Sequence, residues 1–218
     1  MFRSSFWTAC YQAHFQHHFN KPFDIQVYHD QENFALKVAI YDWAARNYKV
    51  YASMGLADKL VENGESDFGE VILFSDVPDK EVPEFFVQAL FFILHNDIPL
   101  GSRFAIGGMA HMRSRHWWDQ FVVWLKASLM RSGAVQARSA FTQRYEKSAL
   151  YFTSSLNREE DDPFAEVHNG DEVGRVYQAY FISPQEHQYL EEVGPDEFEK
   201  ALRDQPGDTL SIRRHSFV

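Results

Sequence analysis

The chain predicts a mixed α+β domain, built on a central, largely antiparallel sheet with helices packed against it. Three observations carry this. Runs rich in β-branched and aromatic residues recur at 23–40, 48–56, 70–74 and 176–182, bounded by turn residues. Residues 85–94 and 112–140 carry apolar side chains at helical spacing instead. Ser183-Pro184-Gln185-Glu186 reads as a helix start, with Ser as cap, Pro in the first position and Glu three residues after Ser.

Each element follows in chain order. Residues 4–19 predict a helix, with Trp7, Tyr11, His14, Phe15 and His18 at helical spacing and Lys21-Pro22 as the stop. His14 and His18, one turn apart, have the spacing to share a transition metal. The pair lacks the acidic residue of the zinc-protease motif and any evident third ligand, which favours an ordinary surface or half-buried pair. A first hairpin spans 23–40 around His29-Asp30-Gln31-Glu32-Asn33, and Asp42–Asn47 connects it onward. The stretch 48–74 is the organising one. It reads as a strand, a polar loop carrying Asn63-Gly64 and Gly69, and a second strand that pairs with the first. Tyr48, Val50, Ala52 and Met54 share one face of that first strand; Lys49, Tyr51 and Ser53 share the other. Gly55 ends the alternation and Asp58 lies just beyond it, placed either to meet a partner or to cap the next turn.

A helix follows Phe74, with Pro83 in its first turn and Phe85, Phe86, Ala89, Leu90, Ile93 and Leu94 on its apolar face. Residues 103–106 predict a short strand. Residues 112–140 predict a basic, Trp-rich helix, in which Trp117 and Trp118 cover the core, offer a partner-binding patch, or meet a membrane surface or nucleic acid. A strand is expected at 150–153, then an acidic loop over 156–174, then the strand 176–182. The helix begun at Ser183 runs to Glu192. Gly194-Pro195 stops it, and a second helix carries Phe198, Ala201 and Leu202. Residues 210–218 read as a closing strand.

At 218 residues, 45% hydrophobic and 24% charged, the chain has ordinary globular composition and a length that allows one large domain or two small ones. Its 21 Lys and Arg against 31 Asp and Glu give a net charge of −10. That argues against nucleic-acid binding and favours a basic protein partner. Cys10 is the single cysteine, so no internal disulfide is expected. The N-terminal stretch lacks the apolar core of a signal peptide, and no run approaches the ~20 apolar residues of a membrane span. A cytoplasmic protein without membrane contact is expected. GxSxG, P-loop, dinucleotide and CxxC signatures are absent from the sequence. The expectation is therefore no catalytic residue, cofactor or metal. A site assembled from scattered residues, around the His95–Asp97 turn for instance, is the enzymatic alternative.

Several segments together resemble one family. Residues 51–58 read YASMGLAD, 68–74 read FGEVILF and 83–104 read PEFFVQALFFILHNDIPLGSRF. These resemble the Suppressor of fused domain, where a strand ending in Y-x-S-x-G-x-x-D precedes an F-G-x-E-type strand and a helix. VYQAYFISPQEHQYLEEVGPDEFEKAL at 176–202 and IRRHSF at 212–217 resemble its C-terminal part. The likeness runs from about Asp24 to the end, with 112–140 as an apparent insertion. It implies a single Suppressor of fused-like α+β domain spanning 1–218 and a non-enzymatic, protein-binding role. In animals the family protein holds a zinc-finger transcription factor of Hedgehog signalling. Asp58 occupies the place of a peptide-contacting aspartate, and Met54 that of an aromatic contact residue, so Tyr51, Met54 and Asp58 become candidate contacts beside Trp117 and Trp118. Single-domain relatives of this length are similar to bacterial members regarded as immunity proteins, which bind and neutralise a toxin. The acidic balance suits a basic toxin.

Overall fold

The structure is a computed structural model that describes residues 6–30, 33–107, 141, 144–154, 156 and 165–218. The Trp-rich segment expected at 112–140, with Trp117 and Trp118, lies outside the described residues.

The first helix, α1 (Phe6–Phe19), turns a stripe of Trp7, Tyr11, Phe15 and Phe19 inward, four aromatic rings at helical spacing. The expected hairpin forms from β1 (Asp24–His29) and β2 (Ala35–Trp43), antiparallel from Asp24↔Ile40 to His29↔Ala35. Asp30 shapes its tip by accepting the Phe34 N–H at 2.7 Å. β3 (Tyr48–Met54) and β4 (Gly69–Ser75) pair antiparallel, as their sequences suggest. The polar loop expected between them is instead largely a helix, α2 (Leu56–Glu62). Leu-Ala-Asp-Lys-Leu-Val-Glu is good helix-forming sequence, and Asn63-Gly64, a hairpin signal in isolation, here stops the helix with Gly64 at φ 84°.

α3 (Glu81–His95) matches its expectation, and β5 (Phe104–Gly107) and β6 (Ala149–Ser154) follow. The acidic stretch contains a strand that sequence missed. β7 (Glu166–Asn169) folds back on β8 (Glu172–Ile182) through Gly170, at φ 59°. β7 is short and half polar, so its alternation is lost among charges. α4 (Pro184–Val193) starts with the expected capping box, Ser183 and Glu186 each bonding the other's main chain. α5 (Pro195–Asp204) completes the described elements.

The closing strand expected at 210–218 does not form; that segment is irregular. Its backbone is held by side chains rather than by a ladder. Asp76 accepts from the Ile212 N–H at 2.9 Å and from the Ser211 hydroxyl. Arg214 reaches inward to the fully buried Glu186 and to the Phe181 carbonyl. The Lys147 ammonium, also buried, stands 3.7 Å from Glu186 on its other oxygen.

The eight described strands make one sheet in the order β1-β2-β3-β4-β8-β6-β5, with β7 on β8. All pairs are antiparallel except β4–β8, which is parallel. α3 covers one face: Phe86, Leu90 and Ile93 meet Leu36, Val38, Tyr51, Leu73 and Phe181. α1 covers the other face over β2, β3 and β4, against Tyr41, Val50, Ala52 and Ile72. α4 and α5 continue that second layer over β6 and β8, where Leu190, Phe198 and Leu202 meet Tyr151 and Tyr180. Every residue of β4 is buried because helices lie on both sides of it, which accounts for its nearly unbroken apolar run.

At the parallel joint Gly69 lies in register with Arg175. A Cβ on Gly69 would fall 2.1 Å from the Arg175 carbonyl oxygen, a main-chain atom with no rotamer to yield. Gly69→Ala should therefore cost about 1–3 kcal/mol in urea unfolding, the usual range for overpacking. Unchanged stability would show that the main chain at the joint yields to a side chain.

Candidate functional site

The β3–β4 ladder pairs Lys49↔Ser75 through Ala52↔Ile72 and ends there. Past that point the Val71 N–H donates to the Ser53 hydroxyl, at 2.8 Å. Glu70 fills the fork. Its carboxylate accepts from the Ser53 hydroxyl, from the Gly55 N–H at 2.7 Å, from Ala57 at 3.2 Å and from Leu56 at 3.3 Å. The last two are free donors of the first turn of α2, and Gly55 takes φ 104° to turn the chain into it. A carboxylate at a helix N-terminus is favoured by both hydrogen bonding and the helix dipole. Glu70 is fully buried, however. Burial pushes its carboxyl up to about 7, against the pull of those hydrogen bonds.

Asp58, in the first turn of α2, caps a different helix. One oxygen accepts the Trp7 N–H at 3.2 Å; the other accepts the Thr8 N–H at 3.1 Å and the Thr8 hydroxyl at 2.5 Å. The capping role that sequence weighed for Asp58 is present, but toward α1 rather than the next turn. The ring of Trp7 then lies 4.8 Å from that of Phe68, and the Tyr11 hydroxyl donates to the Arg175 carbonyl at 2.9 Å. Two carboxylates thus work in series: Glu70 fixes the start of α2, and α2 fixes the start of α1.

Among the other candidate contacts, Met54 is buried on the α1 side and Tyr51 on the α3 side, at 5% and 4% exposure. The structure therefore brings Met54 and Asp58 to the same side of the sheet and sends Tyr51 to the other. Sequence reasoning passed over Glu70, Ser53 and Thr8. The available signal was a lone Glu inside the otherwise apolar run of β4.

The rings of His14 and His18 lie 4.7 Å apart, and among the described residues no group of three or more His, Cys, Asp or Glu could hold a metal ion. His95 meets Asp30 at 3.2 Å. The cavity beside Asp97, lined by Leu60, Ile93 and Leu100, is about 10 Å³, room for about one water. An open cleft of about 330 Å³ lies between Asp42, Tyr48, Lys49, Asp76 and Arg213, with both charges on its walls. Among the described residues, no helix is long and apolar enough to cross a membrane.

No family model matches the chain, and no curated protein does. Solved structures do. The chain matches a SUFU (suppressor of fused protein) homolog from Neisseria gonorrhoeae FA 1090 at 14% identity and a TM-score of 0.61, over 97% of both chains. It matches a chain of the Sufu–Fu complex at 10% identity and a TM-score of 0.51, over 97% of this chain and 90% of that one. The fold is Suppressor of fused-like. The two halves of the Suppressor of fused resemblance, 51–104 and 176–217, are in space neighbours across the β4–β8 joint.

Within this Suppressor of fused-like fold, Asp58→Ala should cost about 0.5–2 kcal/mol, the range for losing a helix cap. Thr8→Val should cost part of the same amount. Since the two share a bond, the double variant should fall short of the sum in urea unfolding. Full additivity would mean that Asp58 and Thr8 are not coupled.

Proposed function

We propose that this chain is a non-catalytic protein-binding domain, an immunity-type protein that neutralises a basic, toxin-like partner. The observation that carries the reading is the whole-length likeness to Suppressor of fused-like structures, one of them solved as the Sufu–Fu complex. A net charge of −10 supports a basic partner, because complementary charge speeds encounter and salt slows it.

The surface around Asp58 is the proposed contact region, with Met54 beneath it. Tyr51 belongs to this proposal as a supporting core residue, and Trp117 and Trp118 as additional contacts. The Asp58 carboxylate already recognises main-chain N–H groups within the chain, and that is the same chemistry an extended partner segment would offer. The proposal places the protein in the cytoplasm, where a toxin would act.

Affinity capture from the native cell, read by mass spectrometry at low and moderate salt, tests this. The expected result is one stoichiometric basic partner, retained less at higher salt. Thr8→Val serves as the control for Asp58→Ala, since it weakens the cap of α1 and keeps the carboxylate. Loss of the partner with Asp58→Ala but not with Thr8→Val would place Asp58 at the interface. Equal loss with both would make Asp58 a structural residue, and an acidic partner would overturn the charge argument.

A further inference from the structure

Glu70 and Asp58 are two acids apart in role but adjacent in the fold. Glu70 holds the main chain of residues 55–57, and residue 58 holds the main chain of residues 7 and 8. The first turn of α2 is therefore gripped from beneath and itself grips α1 from above. If the Glu70 bonds are lost, the turn that aims Asp58 is lost with them. α1 in turn helps to bury Glu70, since it lies over the end of β4 with Tyr11, one turn on from Trp7, against the Glu70 backbone.

We propose that the first turns of α1 and α2 form one latch that opens as a unit, and that the charge on the Glu70 carboxyl sets how firmly it closes.

The surroundings of Glu70 support the second half. From β3 it meets the Ser53 hydroxyl; from α2, main-chain N–H groups, with Asp58 turned to α1 and Lys59 turned to Glu62. From α1 it faces the Tyr11 phenol, held neutral well above its ordinary range by burial and by the charge of Glu70. From β8 it lies in register with Val176; the neighbouring Arg175 and Tyr177 are both turned to Asp67. No Lys, Arg or His among the described residues makes an ion pair with it. Among the described residues the closed latch thus surrounds Glu70 with dipoles and no countercharge, and opening would return it to water.

The sign follows from linkage. A buried carboxyl whose pKa is raised from 4.5 to about 7 holds its proton more tightly in the closed form than in the open one. Closing is favoured most below the ordinary carboxylate range. That advantage is lost as pH rises toward about 7, after which the equilibrium is flat.

Amide hydrogen exchange on the intact chain between pH 5 and 8, corrected for the intrinsic pH dependence of exchange, tests both halves. Protection at Trp7, Thr8, Leu56 and Ala57 should fall together, by an amount approaching tenfold per pH unit up to about pH 7, while amides in the middle of α3 stay level. Glu70→Gln, which keeps one acceptor oxygen and removes the charge, should flatten the profile at all four positions. Thr8→Val should lower protection at Leu56 and Ala57 as well as at Trp7, and it decides the one-unit claim even if Glu70→Gln does not fold. Independent profiles for the two turns would overturn the latch. An unchanged profile in Glu70→Gln, or rising protection with pH in the wild type, would overturn the role of Glu70.

Discussion

The parallel joint between β4 and β8 is the constraint on which the rest of the architecture depends. β1 to β4 form one antiparallel run, and β5 to β8 form another. The two become a single sheet where β4 meets β8 from Gly69↔Arg175 to Leu73↔Ala179. A parallel pair in mid-sheet must be covered on both faces, and the longer described helices divide that task. α3 takes one side; α1 and the α4–α5 pair share the other. The strands can approach at Gly69 because that residue has no side chain. One residue further along, the same strand delivers a carboxylate into the fork where its other neighbour, β3, comes away.

What was legible in sequence was whatever is local. The capping box at Ser183 and Glu186 spans four residues, and it appears in the structure as read. The aromatic stripe of α1 and the two-faced alternation of β3 follow from periods of 3.6 and 2 that no distant contact needs to supply. The illegible parts all depend on distant partners. Leu56–Glu62 is too short a helix to announce itself over a polar background; its start is secured by Glu70, which comes after it in the chain. Residues 210–218 alternate enough to suggest a strand. Asp76 claims the Ile212 N–H first, and the segment pairs with no described strand of the sheet. Asp58 carried the right chemistry for a cap, but its helix lies fifty residues before it.

The proposed contact surface inherits its shape from the core. Asp58 is aimed by the first turn of α2, that turn is seated on Glu70, and Glu70 belongs to a strand with no exposed residue. With the latch closed, a surface group tied so directly to the buried sheet has little freedom to adapt, so recognition by the closed form would rest on a preformed geometry rather than on ordering at the moment of contact. The chain matches its structural neighbours over nearly their whole length at 14% and 10% identity. One fold can hold such different sequences because a sheet buried on both faces asks for apolar residues at the right period more than for particular ones.

The order of the strands has a consequence for how the protein is made. β8 leaves the ribosome after α3, β5, β6 and β7, although it is the strand that β4 needs beside it. Throughout that interval the nascent chain carries an apolar strand with one open edge, which is the kind of template that neighbouring chains can join. Contacts so distant in sequence also slow the search for the native arrangement. The most strongly buried strand of the finished protein is thus the most vulnerable one during synthesis, and crowded polysomes or rapid overexpression would expose that weakness before any change to the folded state did.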